Sequence, residues 1–171
     1  KQDPVNMPMD VLLGKPPKMH RDVKHVDRKL EPVALDGVEL AKVLPEVFRH
    51  PTVASKSFLI TIGDRAVGGL THRDQMVGPW QVPVSDVAVT ALSFLSNKGE
   101  AMAIGERSPI AVINAPASCR MAFAEAITNI AAADIELPTV KFSANWMASC
   151  GSEGEDAKLY DAVKATSEFC I

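Results

Sequence analysis

The chain has 171 residues, of which 47% are hydrophobic and 23% charged, enough for one ordinary globular domain with a core of its own. Eighteen Lys and Arg against 21 Asp and Glu give a net charge of −3, which argues against a large nucleic-acid footprint. No apolar run approaches the roughly 20 residues that span a bilayer, and the polar, proline-bearing stretch Lys1 to Asp10 is not a signal peptide, so a cytoplasmic protein is expected.

The first 32 residues are rich in Pro, Lys, Arg and His and form an N-terminal arm or connector, leaving 33–171 as the domain proper. Within the arm, Met9 to Leu13 has the length and apolar content of a short strand, broken by Gly14-Lys15-Pro16-Pro17. Lys18 to Lys29 is charged and expected to be exposed, either packed on a neighbouring domain or solvated. Asp36 to Arg49 reads as helix, with Val38, Ala41, Leu44 and Phe48 on one side and Pro45 as a point where it could split. Ala54 to Ile62 is ambiguous between helix and a buried strand at Phe58-Leu59-Ile60, and turns are expected at Gly63-Asp64 and Gly68-Gly69. In Met76 to Pro83 two prolines and a glycine predict a rigid irregular segment anchored by Trp80.

Strands are expected at Val87 to Leu92, Ala101 to Ile104, Ile110 to Ile113 and Thr139 to Ala144. The strongest helix runs from Pro116 to Ala133, opened by a proline suited to a first turn. A second long helix runs from Gly154 to Phe169, with Glu155 and Asp156 near its positive end. Strands and helices alternate unevenly, so the class is α+β with a mainly antiparallel sheet and flanking helices.

Candidate chemistry is confined to a few residues. Glu125 and Asn129 are four apart on the strongest helix and share a face. That helix is otherwise apolar, so a carboxylate facing the core needs compensation, which a hard cation such as Mg2+ would supply through oxygen ligands. From spacing alone, an exposed polar helix face is the default reading of the pair. Asp86 precedes the apolar run Val87-Ala88-Val89, where it could reach into a site or cap a turn. Lys56 is either a surface lysine or a phosphate contact. GDRAVGGLTHRD (63–74) hints weakly at an anion loop, with a structural turn as the alternative.

Cys119, Cys150 and Cys170 form no CxxC pair or disulfide framework. The four histidines lack HExxH spacing. GxSxG, the Walker motif and GxGxxG are all absent.

The strings GKPPKMHRDV (14–23), PTVASKSFLITIGDRAVGGL (51–70), RDQMVGPWQVPVSDVAVT (73–90), GEAMAIGERSPIAV (99–112), AEAITNIAAADI (124–135) and SANWMASCGSEGEDAKLYDAVKA (143–165) resemble consecutive segments of the large, single-chain bacterial form of phosphoribosylformylglycinamidine synthase. The resemblance implies a fold like the N-terminal domain of aminoimidazole-ribonucleotide synthetase, in the second half of a synthetase core. It implies membership of a glutamine-hydrolysing carbon–nitrogen ligase of purine biosynthesis that uses ATP and makes formylglycinamidine ribonucleotide. The partners it implies are the other synthetase half, the following domain and a glutaminase domain of the same enzyme, with no nucleic acid and no membrane.

On the same resemblance, this part holds a structural Mg-ADP and is not catalytic alone. Mg2+ falls to Asp86, Glu125 and Asn129, with a fourth ligand in the following domain. A backbone contact to the nucleotide falls to Ser85, where relatives often have Ala, and a phosphate contact to Lys56. A packing module that binds no nucleotide in isolation is the alternative expectation.

Overall fold

The computed structural model describes residues 5–15, 18, 20–66 and 68–171; Pro16 and Pro17 of the expected strand-breaking segment lie outside these.

The arm begins with a helix, not a strand. α1 spans Met9–Leu13, with Pro8 at its start and Leu12 N–H donating to Pro8 O at 3.3 Å. A run of four apolar residues and Asp10 suits either state; among the described residues no strand pairs with it, and local hydrogen bonds decide. α2 spans Leu40–Arg49 as one unbroken helix with Pro45 inside it. It starts later than the periodicity suggests because Gly37, at φ +78, makes a turn that closes Val38 N–H onto Leu35 O. α3 spans Ser57–Thr61, which resolves the ambiguous 54–62 stretch as a short exposed helix and removes the buried strand expected at Phe58 to Ile60.

Three antiparallel strands form the sheet, β1 (Thr71–Arg73), β2 (Val87–Ala91) and β3 (Gly99–Ala103), in the order β1-β2-β3. Val87 faces Ala103 and Ala91 faces Gly99 across the second ladder. The 74–86 connection extends the first pair as an irregular hairpin. Met76 bridges Val84, Ser85 N–H donates to Gln75 O at 2.7 Å, and Val77 N–H donates to Pro83 O at 2.8 Å. Trp80, expected to anchor this hairpin, is 86% exposed. The anchors are instead Met76, which is buried, and Arg65, which pairs with Asp74 at 2.5 Å and reaches Gln81 Oε1 at 3.5 Å. At the tip Gln81, at φ +50, closes a turn onto Gly78 O at 3.1 Å while Trp80 stays exposed.

The strand expected at Ile110 to Ile113 is a 3-10 turn, Ser108–Val112, opened by Pro109. Likewise Thr139 to Ala144 gives a 3-10 turn at Leu137–Thr139 followed by unpaired chain. Both runs are apolar enough for a strand, but a proline opens each turn, which the sheet ladder would not tolerate.

α4 spans Ala115–Ile130 and α5 spans Glu155–Phe169. Asn114 caps α4, its Oδ1 accepting from Ala117 N–H at 2.9 Å, and Pro116 sits in the first turn. α4 packs on α5, on the 3-10 turn before it and on β3. The buried hydrophobics are Met76, Val87, Ala115, Ala157, Ala162 and Ala165. Four of the six are alanines, which let α4 and α5 approach closely. Phe123 and Phe142 close one side of this layer with ring centroids 4.9 Å apart.

The arm lies along α5. Arg21 pairs with Asp156 at 2.7 Å and His25 with Asp161 at 2.8 Å, while Arg28 donates to Glu153 O at 2.9 Å. Between these contacts Val26 touches Gly154, which takes φ +77 at the N-cap of α5.

The accessible surface is 14714 Å2, against about 8,200 Å2 for a compact monomer of this mass. Much of the excess is apolar: Leu95 and Met147 are each 97% exposed, and Phe94 is 81% exposed. No described helix is long and apolar enough to cross a membrane.

Candidate functional site

The sheet and α4 meet at a depression of about 700 Å3 floored by the start of β2. Two loops and one helix deliver its polar groups. The returning arm of the 74–86 hairpin brings Ser85 and Asp86, the chain after β3 brings Glu106 and Arg107, and α4 brings Glu125 and Asn129. A contiguous shallower depression of about 530 Å3 shares Arg73, Ser85, Asp86 and Asn129.

Asp86 is exposed at the N-terminal end of β2. Its neighbour Ser85 is fixed by its backbone N–H on Gln75 O and by its hydroxyl, which donates to Val87 O at 3.0 Å. That local turn holds the Ser85 main chain at the rim. Glu125 is half-buried, and its cost of burial is offset by protein groups. Oε2 accepts from Glu106 N–H at 2.9 Å and forms an ion pair with Arg107 Nη1 at 2.8 Å. Asn129 donates through Nδ2 to Ile104 O at 3.1 Å, which orients its amide and leaves Oδ1 without a protein donor among the described residues. The same holds for Glu125 Oε1 and for the Asp86 carboxylate.

Thus two carboxylate residues and one amide residue line one depression. Three oxygens of this kind fit a hard divalent cation, with water or phosphate oxygens completing its shell. Among the described residues no cluster of three or more His, Cys, Asp and Glu side chains could hold a metal, and a set of two carboxylates and an amide falls outside such a cluster by composition.

Lys56 is not in the depression. Its ammonium donates to Ala54 O at 2.7 Å and Thr52 O at 3.2 Å, closing the turn before α3. The cations that do line the depression are Arg65, Arg73 and Arg107. Arg65 and Arg73 belong to the stretch read in the sequence as a weak anion loop. Arg107 carries no sequence signal, because its partner Glu125 is 18 residues away on another element.

Asp74, beside Arg65, has its carboxyl held below the ordinary value of 3.8, first by the Met76 N–H and then by the Arg65 guanidinium. The thiols stand apart from the depression. Cys150 and Cys170 are exposed, while Cys119 is half-buried and accepts from Trp146 Nε1 at 3.3 Å.

Comparison with known families matches residues 55–171 to the FGAR-AT PurM N-like domain. The chain belongs to this family. The match contains the sheet, α3 to α5 and every residue of the depression, and it leaves the arm and α2 outside. As an FGAR-AT PurM N-like domain, the chain is a ligase-type component of the multidomain FGAM synthase of purine biosynthesis. The three-stranded antiparallel sheet with flanking helices is the α+β arrangement expected of it.

Proposed function

We propose that this domain holds Mg-ADP in a structural role within FGAM synthase, with Asp86, Glu125 and Asn129 as the metal ligands. What supports this reading is that Asp86, at the start of β2, and Glu125 and Asn129, one turn apart on α4, all line one depression. Mg2+, when bound, neutralises polyphosphate charge. The chain's own groups orient the ligand set: Glu106 N–H and Arg107 hold Glu125, and Ile104 O holds Asn129. The Ser85 main chain lies at the rim for a backbone contact to the nucleotide. Lys56 reaches a phosphate only if it leaves the carbonyls of Thr52 and Ala54.

In this reading the ligation chemistry, driven by ATP and by ammonia from glutamine, occurs in other domains of a cytoplasmic enzyme, and the domain alone is inactive. The exposed apolar surface supports the remaining domains as its partners.

That same surface favours a second reading, a packing module that binds no nucleotide by itself. Calorimetric titration of the chain with ADP, with and without Mg2+, beside Asp86→Ala separates the two. Magnesium-dependent binding abolished by the substitution supports the nucleotide site. Absence of binding by the folded wild-type chain refutes it and leaves the packing module.

A further inference from the structure

Resting on the Mg-ADP reading, we infer that the depression takes a divalent cation only together with a polyphosphate, and that Arg73 and Arg107 supply the phosphate half of the site. The larger depression is lined by three guanidiniums, Arg65, Arg73 and Arg107, and by three carboxylates, Asp86, Glu106 and Glu125. A bare cation therefore enters a field with no net attraction, and so does a bare phosphate. A metal bound to phosphate matches both halves at once.

The two arginines differ in what holds them. Arg107 already serves Glu125 as a cation, with Nη1 2.8 Å from Oε2 and also donating to Glu106 O at 2.7 Å. A divalent ion on the other oxygen of Glu125 is repelled by this guanidinium unless an anion sits between them. Arg73 is half-buried at the end of β1, and its guanidinium has no hydrogen-bond or ion-pair partner among the described residues. It lines both depressions alongside Asp86 and Asn129. A half-buried guanidinium with no protein counter-ion, next to a metal-ligand set, is a place for phosphate oxygens. Arg65 is committed elsewhere through Asp74, although its Nε is buried without a partner.

The test is calorimetry on the wild-type chain and on Arg73→Gln and Arg107→Gln, titrating Mg2+ alone, Mn2+ alone, ADP with chelator, and Mg-ADP. The wild-type chain is expected to bind Mg-ADP at least tenfold more tightly than either component. Arg73→Gln should weaken Mg-ADP tenfold or more with a thermal midpoint shifted by no more than a few degrees, since it removes no hydrogen bond or ion pair among the described residues. Arg107→Gln should tighten Mn2+ alone while weakening Mg-ADP, and Arg107→Lys should restore part of the loss. Wild-type binding of Mn2+ alone as tightly as in the presence of ADP overturns the inference. So does Mg-ADP binding indifferent to both glutamine substitutions, which leaves the nucleotide site itself standing. No Mg-ADP binding by the wild-type chain removes the underlying reading as well.

Discussion

Gly105→Ala is the most demanding test of how the depression is built. A Cβ on Gly105 would lie 1.9 Å from Ala122 O, 2.7 Å from Ala126 N and 2.9 Å from Ala122 C, all backbone atoms of α4. No flexible side chain can yield, so α4 and the chain after β3 must separate by about 1 Å or more to reach van der Waals contact. The flanking residues carry the two bonds that orient the ligand set, Glu106 N–H to Glu125 at 2.9 Å and Asn129 to Ile104 O at 3.1 Å. A separation of that size takes both beyond hydrogen-bonding range. The charge-assisted bond is worth about 1.5–3 kcal/mol and the neutral one about 1. Overpacking costs about 1–3 kcal/mol more. Allowing for non-additivity, the loss is about 3–5 kcal/mol, or roughly 6–20 °C in thermal midpoint for a chain of this size. Scanning calorimetry beside Gly63→Ala provides the comparison, because a Cβ at Gly63 meets only Leu59 O at 4.0 Å. Gly63→Ala should stay within about 0.5 kcal/mol of wild type. A Gly105→Ala midpoint within 2 °C of wild type, on the order of the smallest shift that 1 kcal/mol produces, would refute the close approach.

Two further outcomes concern the arm. Gly154→Ala puts a side chain at φ +77 and its Cβ 3.2 Å from Val26 Cβ, at a cost of about 1–2 kcal/mol; limited trypsinolysis should then cut the arm between Arg21 and Arg28 faster than in wild type, and equal rates would count against the contact. The Asp156 carboxyl is held below the ordinary 3.8, first by the Gly151 N–H and also by Arg21. Because its folded value is lowered, its contribution is complete above the ordinary value and disappears as pH falls through the lowered one. Hydrogen exchange of the arm across that acid range should show the loss in wild type and not in Asp156→Asn; identical pH profiles would disprove the linkage.

Much of this architecture is legible in the sequence where a residue's local chemistry settles its state. β2 ends one residue short of the Val87 to Leu92 run, because β-branched residues flanked by Asp86 and a turn leave few other options. α4 and α5 follow from Pro116, from the Ala-rich stretch behind it and from the acidic pair at Glu155 and Asp156. The failures at Ile110 to Ile113 and Thr139 to Ala144 come from the proline that opens a 3-10 turn at each, and at Met9 to Leu13 the local hydrogen bonds of a single helical turn decide the state. A short apolar run suits strand or helix alike, and what settles it lies outside the run.

The site divides in the same way. Helical spacing alone puts Glu125 and Asn129 on one face, and the depression receives both. The compensation expected for Glu125 is present, but the cation holding it in the structure is Arg107. A pairing between a loop and a helix follows from the crossing of β3 and α4, and residue spacing does not reveal it. Lys56 shows the converse: its position in an apolar stretch says nothing of the carbonyls it closes onto.

The contacts of the arm with α5 join residues 125 to 136 positions apart in the chain. The sheet and α4, by contrast, are assembled from near neighbours. Closing so long a loop carries a large entropic cost, repaid here mainly by exposed ion pairs. During synthesis the arm emerges long before α5 exists, so it must remain undocked while the sheet and α4 form. The arm is therefore expected to dock after the sheet and α4 on folding, and early unfolding should be sensed by a probe on Arg28 before one on Glu125.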